Sequence, residues 1–274
     1  MAKVILQKQD LTYLQWSKIR NSSGTAGSFL KAYSDFGDRK IYYKLSNFDS
    51  EKGIVGHESV NELIVDRLLD ILDVPHLSYE LIHADVQIDN KVYETYLCAS
   101  YDYKAKGEDK IALDEYYEVE RFPSESKLDF CIRNNWEEYI YTMLAVDFII
   151  MNRDRHGANI EVLRNPKKKT LRIAPLFDHG ISLLYQCQSE KDYETFNIDE
   201  EKRVQCFFTN SSTARDNLHL IPKKQLPRFG KLVESDKGRL FMDLKDCLDS
   251  RLMDAIWNMI WRRYKEYEDI CNQK

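Results

Sequence analysis

The chain has 274 residues, 43% of them hydrophobic and 12% aromatic, enough to bury a core as one large domain or two lobes, which excludes a disordered or low-complexity protein. Charged residues make up 31% and nearly balance at a net charge of -5, with a pI near 5.8. No global basic field exists to draw a phosphate backbone, so nucleic acid is not an expected partner. The six cysteines show no close C-x-x-C pairing, which argues against a zinc ribbon or a secreted disulfide scaffold, and they read as reduced thiols.

The N-terminus, MAKVILQKQDLTYLQW, has too short an apolar run for a secretory leader. No stretch approaches the ~20 apolar residues of a membrane span, so a cytoplasmic location is expected. Val4 to Leu6 and Leu14 to Ile19 are predicted as short strands. The small-residue loop Ser22-Ser23-Gly24-Thr25-Ala26-Gly27 precedes a strand at Phe29 to Tyr33, a turn at Ser34 to Asp38 and a strand at Lys40 to Leu45. Such a loop lets backbone N-H groups approach phosphate oxygens, and Lys44 on the returning strand can reach the same phosphates as a point charge. Asp35-Phe36-Gly37 resembles a metal-binding triplet in letters only, because it precedes the lysine strand and sits in a turn.

His57 to Leu72 carries Val60, Leu63, Ile64, Leu68 and Ile71 at helical spacing, and Val74-Pro75 stops it. Glu58 and Glu62 lie on neighbouring turns; either could hold the Lys44 ammonium, and Glu62 is preferred. Leu77 to Ile82, Asp85 to Ile88 and Val92 to Ser100 read as strands, with a turn at Asp89-Asn90-Lys91. The polar segment Tyr101 to Lys110 marks the expected hinge between a lobe at 1–104 and a second lobe at 105–274. From Ile111 the pattern is helical, with Leu113 to Val119, Ser126 to Arg133 and a long apolar helix ending at Met151. Gln186 to Arg203 reads as irregular, Val204 to Phe208 as a packing run, and Lys223 to Leu232 and Met242 to Tyr267 as helices.

The stretch Asn152-Arg153-Asp154-Arg155-His156-Gly157-Ala158-Asn159-Ile160 leaves that long helix, and Phe177-Asp178-His179-Gly180 returns to it. Between them, Ile160 to Leu163 and Leu171 to Ala174 flank a turn-rich polar segment and predict a hairpin. The hairpin would make neighbours of Asn159 and Asp178, two oxygen ligands for a hard cation. Asp154, five residues before Asn159, is then placed to orient and deprotonate a hydroxyl, as in phosphoryl transfer.

The segments SSGTAGSFLK, IYYKLS, GHESVNELIVDRLL, LAVDFIIMNRDRHGANIEVL and APLFDHGISLL, spread over residues 22 to 184, resemble the HipA-like serine/threonine protein kinases, compact bacterial members above all, and more distantly the phosphoinositide kinases. The resemblance implies an α+β bilobal protein-kinase-like fold with a strand-rich N-lobe and a mostly helical C-lobe. It also implies ATP with Mg²⁺ and transfer to a Ser or Thr hydroxyl, with a protein as the substrate. It makes Lys44 the phosphate lysine, Glu62 its partner, Asp154 the catalytic aspartate, Asn159 and Asp178 the metal ligands, and His156 a helper near the transferred phosphate. Self-modification of the glycine loop is a family habit, and Ser22, Ser23, Thr25 and Ser28 offer the hydroxyls. HipA toxins carry N-terminal structure for which this chain has no room, and no helix-turn-helix segment is present, so an antitoxin-like partner is left open. Two rivals remain: a metal-dependent phosphohydrolase using Asp154, His156 and Asp178, and a catalytically silent kinase-like binding module.

Overall fold

The structure, a computed structural model, describes residues 3–17, 29–37 and 39–273. Strands β1 (Val4–Asp10), β2 (Lys31–Asp35) and β3 (Lys40–Lys44) are followed by the short pair β4 (Phe48–Asp49) and β5 (Gly53–Ile54), helix α1 (Glu58–Ile71), and strands β6 (Tyr79–Ile88) and β7 (Lys91–Tyr101). The N-terminal sheet has five strands in the order β1-β6-β7-β3-β2, parallel between β1 and β6 and antiparallel elsewhere. Asp89 and Asn90 both take positive φ, 47° and 66°, the two-residue turn whose twist suits a hairpin. On β6, Ile82, Ala84, Val86 and Ile88 alternate onto one face and pack with Leu11, Leu14, Tyr43 and Leu97. Tyr43 faces that small core, so its neighbour Lys44 points the other way, toward α1.

Helix α1 is buried almost all round, which its sequence of mixed apolar and charged residues does not suggest. Its polar side chains are each engaged. Glu58 accepts the Asn47 N-H (3.2 Å), Ser59 donates to the Lys44 carbonyl (3.0 Å), and Asp66 accepts the Tyr79 N-H (2.7 Å). Arg67 donates to the carbonyls of Leu240 (2.9 Å) and Met242 (2.7 Å). The apolar face, Leu63, Ile64, Leu68 and Leu69, joins the main core together with the helices that follow.

The rest of the chain is mostly helical. Strand β8 (Asp109–Ala112) precedes helices α2 (Leu113–Glu120), α3 (Lys127–Arg133) and α4 (Glu137–Ile150); then come β9 (Asp154–Arg155), β10 (Glu161–Asn165) and β11 (Thr170–Ile173). Helix α5 (Glu190–Thr195), strands β12 (Arg203–Cys206) and β13 (Thr209–Thr213), and helices α6 (Ala214–Leu218), α7 (Lys237–Leu240) and α8 (Ser250–Asn272) complete it. In α8, Leu252, Met253, Ile256, Trp257, Met259, Ile260, Tyr264 and Tyr267 form the helical stripe that enters the main core. No helix among the described residues is long and apolar enough to cross a membrane.

Several sequence expectations need correction. Leu14 to Ser17 is not a strand; Leu14 turns into the sheet core instead, and residues 18 and 19 lie outside the described residues. The two strands expected before Asp89 are one, β6. Ile111 belongs to β8 because β10 offers it an antiparallel partner, Val162, and the helix begins two residues later. Gln186 to Arg203 contains α5, which the reciprocal Ser189 and Asp192 capping bonds start. The helix expected over Lys223 to Leu232 is a single 3-10 turn at Lys223–Gln225, since Pro227 drives Leu226 to an extended ψ of 121°. The last helix begins at Ser250, eight residues after Met242, where the Asp249 side chain accepts the Arg251 N-H (2.8 Å).

His57, at the N-cap of α1, is buried, and burial pushes its pKa down to about 4 from 6.5. The folded state therefore keeps it neutral, so its contribution to stability is fully present above the unfolded value and is lost as pH falls toward 4. A displacement of this size corresponds to about 3 kcal/mol. Urea denaturation at a series of pH values from 7.5 to 4.5 should show a steeper loss in the wild type than in His57→Gln; parallel curves would rule out this role for His57.

Candidate active site

The side chain of Lys44, projecting from β3 toward α1, ends between two carboxylates. Its Nζ lies 2.8 Å from Glu62 Oε1 and in close contact with Asp178 Oδ1. Glu62 has no exposed surface, and its second oxygen accepts the N-H of His179 (2.8 Å). One side chain of α1 thus holds both the ammonium and the backbone beside Asp178. Asn61 extends the grip, donating to the carbonyls of Gly180 and Ser182, each at 3.1 Å. Of the two glutamates open to the sequence reading, Glu62 pairs with Lys44, while Glu58 serves the Asn47 N-H. Gly180 permits this closeness: a Cβ there would lie 3.2 Å from both the Glu58 carbonyl and Glu62 Oε1.

Charge is unevenly shared. Burial alone would lower the Lys44 pKa, but Asp178 and Glu62 push it up. Burial would raise the Asp178 carboxyl, yet Lys44 and Lys31 hold it well below the usual carboxylate range. Glu62 is pushed up by burial against the pull of Lys44. Asp178 takes the left-handed conformation (φ 59°), a costly backbone for a non-glycine residue, and its N-H reaches the Tyr79 hydroxyl at 3.3 Å. His179 is kept neutral by burial.

The loop after α4 is fixed by Arg155. Its guanidinium grips Asp147 of α4 through Nε and Nη2 (2.9 and 2.8 Å) and donates through Nη1 to the carbonyls of Asn159 (3.2 Å) and Phe177 (2.8 Å). The expected hairpin forms, with Val162 opposite Ile173 and Asn165 opposite Thr170, and Arg155 bridges its two ends. Asn152 donates to Asp147 (2.8 Å) and accepts the Asp154 N-H (3.1 Å). The Asn159 amide nitrogen donates to the Asp154 carbonyl (2.8 Å), which leaves its side-chain oxygen for another partner. Gly157 is required where the loop meets α2, because a Cβ would approach the Asp114 Cβ to 2.5 Å and the Phe207 ring to 2.9 Å.

Asp154 carries a buried Oδ1 without a hydrogen-bond partner among the described residues. His156 accepts the Ala158 N-H at Nδ1 (3.2 Å), so its proton sits on Nε2, 3.6 Å from that oxygen. Burial raises the Asp154 carboxyl, His156 opposes this, and the Asp178 charge adds to the rise. The glycine-loop positions Ser22, Ser23, Gly24, Thr25, Ala26 and Gly27 lie outside the described residues. Just beyond them, the Phe29 ring stands 4.7 Å from the Lys44 ammonium.

Sequence reasoning missed Arg155, Asp147, Asn61, Asn152 and Tyr79. A signal for one was present: a single Asp inside LAVDFIIM, on a helix apolar enough to be buried, requires a cationic partner.

No family profile and no curated protein matches the sequence. Among solved structures, the fold is similar to the crystal structure of a Helicobacter pylori proinflammatory kinase, CtkA, with a TM-score of 0.58 at 14% sequence identity over 96% of each chain. The chain therefore has a kinase-like fold, with a strand-rich N-terminal sheet and a helical C-terminal part.

Arg155→Met should cost about 3–5 kcal/mol, because it strands the Asp147 carboxylate in the core. Adding Asp147→Leu should recover part of that loss. Equilibrium denaturation of the two variants decides; a double variant weaker than the single one would contradict the pairing as the main effect.

Proposed function

We propose that this chain is an ATP-dependent kinase of the HipA-like type, transferring phosphate to a Ser or Thr hydroxyl of a protein. The observation that carries the reading is the Lys44 ammonium pinned between Glu62 and Asp178, within electrostatic reach of Asp154, whose Oδ1 has no hydrogen-bond partner among the described residues. The donor set suits a hard cation: Asp178 stays ionised and the Asn159 side-chain oxygen has no hydrogen bond among the described residues, so these two residues would hold Mg²⁺. Bound Mg-ATP supplies a phosphoryl group whose charge is already partly neutralised.

The chain's own residues then position and deprotonate. Glu62 fixes the Lys44 ammonium, which serves as a point charge for the phosphates. Asp154 accepts the proton of the acceptor hydroxyl; a carboxyl raised by burial is the better base near neutral pH. His156 Nε2-H steadies the same carboxylate. In this reading, residues 1–104 form the nucleotide-binding lobe and 105–274 the catalytic lobe. Ser22, Ser23, Thr25 and Ser28 are candidate sites of self-modification.

A metal-dependent phosphohydrolase would use Asp154 and Asp178 but would leave the Lys44–Glu62 pair without a purpose. Labelled ATP separates the two, since the kinase reading expects label on Ser or Thr of an added lysate protein or of the chain itself. Release of phosphate alone, with no labelled hydroxyl, would favour the hydrolase.

At ~100 times its dissociation constant, Mg-ATP should add about 2.7 kcal/mol to stability. Asp178→Asn should lose most of that gain and Asp154→Ala little of it, while Asp154→Ala abolishes transfer. Thermal melts with and without Mg-ATP, run beside the label assay, test both. Equal loss of binding in the two variants would refute the assignment of separate roles.

A further inference from the structure

The polar stripe of α1 continues beyond Glu62. Asp66 and Asp70 follow it at successive turns, and His76, on the connection to β6, faces them both. His76 Nε2 lies 3.5 Å from Asp66 Oδ2 and 3.9 Å from Asp70 Oδ1. The three ligand atoms lie within 4.8 Å of one another.

The two contacts are ion-pair distances that a bridging metal ion would also span. Both exceed the ~2.7–3.2 Å of a good N-H···O bond. His76 Nε2 is buried, on a side chain only 6% exposed, and has no hydrogen-bond partner among the described residues. Two ligands at ~2.0–2.1 Å from a tetrahedral zinc stand about 3.4 Å apart, close to the spacing seen.

The supporting bonds are also those a ligand set needs. His76 Nδ1 donates to the Val74 carbonyl (2.7 Å), which turns Nε2 toward the two aspartates; against burial, the Asp66 contact and the charge of both carboxylates raise the imidazole pKa, so a metal ion would take the place of the Nε2 proton. The Tyr79 N-H bonds Asp66 Oδ2 (2.7 Å) and orients that carboxylate. Asp70, 37% exposed, opens the cluster to solvent, giving an ion its path in and room for a water ligand.

The geometry points to a transition-metal site formed by Asp66, Asp70 and His76, taking Zn²⁺ or a divalent ion of like preference. One imidazole with two carboxylates suits such an ion; Mg²⁺ prefers oxygen alone. The site is separate from Asn159 and Asp178, and it does not depend on the chain being a kinase.

Its position gives it a consequence. His76 pairs with Leu176, Leu77 N-H donates to the Leu176 carbonyl (2.8 Å), and Tyr79 reaches from Asp66 to the backbone of Asp178. An ion there clips the 74–79 segment to α1, and so ties the helix that holds Lys44 to the strand leading into Asp178.

Chelator-treated, refolding-competent full chain titrated with ZnCl₂ by calorimetry, with metal content measured after desalting, tests the site. The wild type should bind one equivalent. His76→Gln and Asp70→Asn should each weaken binding by about 100-fold, at or beyond the ~10–100-fold typical of lost supporting bonds. Asp178→Asn should bind zinc like the wild type, which separates this site from the proposed magnesium site. Matching melting temperatures in chelator establish that the variants fold, and if His76→Gln does not, the more exposed Asp70→Asn decides. No zinc retained by folded wild type, or equal retention in Asp70→Asn, as zinc held by cysteine thiols would give, overturns the proposal.

Discussion

Everything around the site depends on a single buried ammonium shared by two carboxylates. Removing such charges from water costs several kcal/mol per ion unless each finds good partners. Lys44 does so because β3 turns it toward α1 and because Glu62 and Asp178 arrive from different parts of the chain. Two carboxylates around one ammonium leave a negative excess, and the nearby Asp154 increases it. That excess is what a divalent cation and a carefully placed hydroxyl would exploit.

Helix α1 makes the arrangement rigid. A helix buried on all sides ordinarily reads as a continuous apolar run, yet this one carries Glu58, Ser59, Asn61, Glu62, Asp66 and Arg67 into the interior. Each meets a partner on a different element, among them the Asn47 N-H, the backbone of Gly180, Tyr79 and the Leu240 carbonyl. The helix thereby fixes the sheet, the Asp178 segment and the α7 region against one another. Arg155 does the same for the opposite wall, joining α4, Asn159 and Phe177 through one guanidinium. The Asp66–Asp70–His76 cluster lies at the far end of the α1 stripe, where an ion would stiffen the same frame.

Much of this was legible locally. The period-two runs of β6 and β7, the turn at Asp89-Asn90, the hairpin between Asn159 and Asp178 and the spacing of Asp154 from Asn159 each follow from short-range patterns. The choice between Glu58 and Glu62 as the partner of Lys44 stayed open in the sequence, because a strand lysine is ordinarily solvated and only the fold brings it under α1. What escaped depends on distant partners. Asp147 and Arg155 resemble ordinary charges until the chain brings them together, and β8 looked helical because its partner β10 comes fifty residues later. At Lys223–Gln225 the limit is local instead: Pro227 forces Leu226 into an extended backbone and ends the helix after a single turn.

The most direct test of the central claim is a crystal structure with Mg²⁺ and a non-hydrolysable ATP analogue. The expected result is that Lys44 keeps Glu62 and contacts the phosphates, while Asp178 exchanges the ammonium for the metal it shares with Asn159. A nucleotide bound elsewhere, with the Lys44–Asp178 pair unchanged and no ion at Asn159, would contradict it.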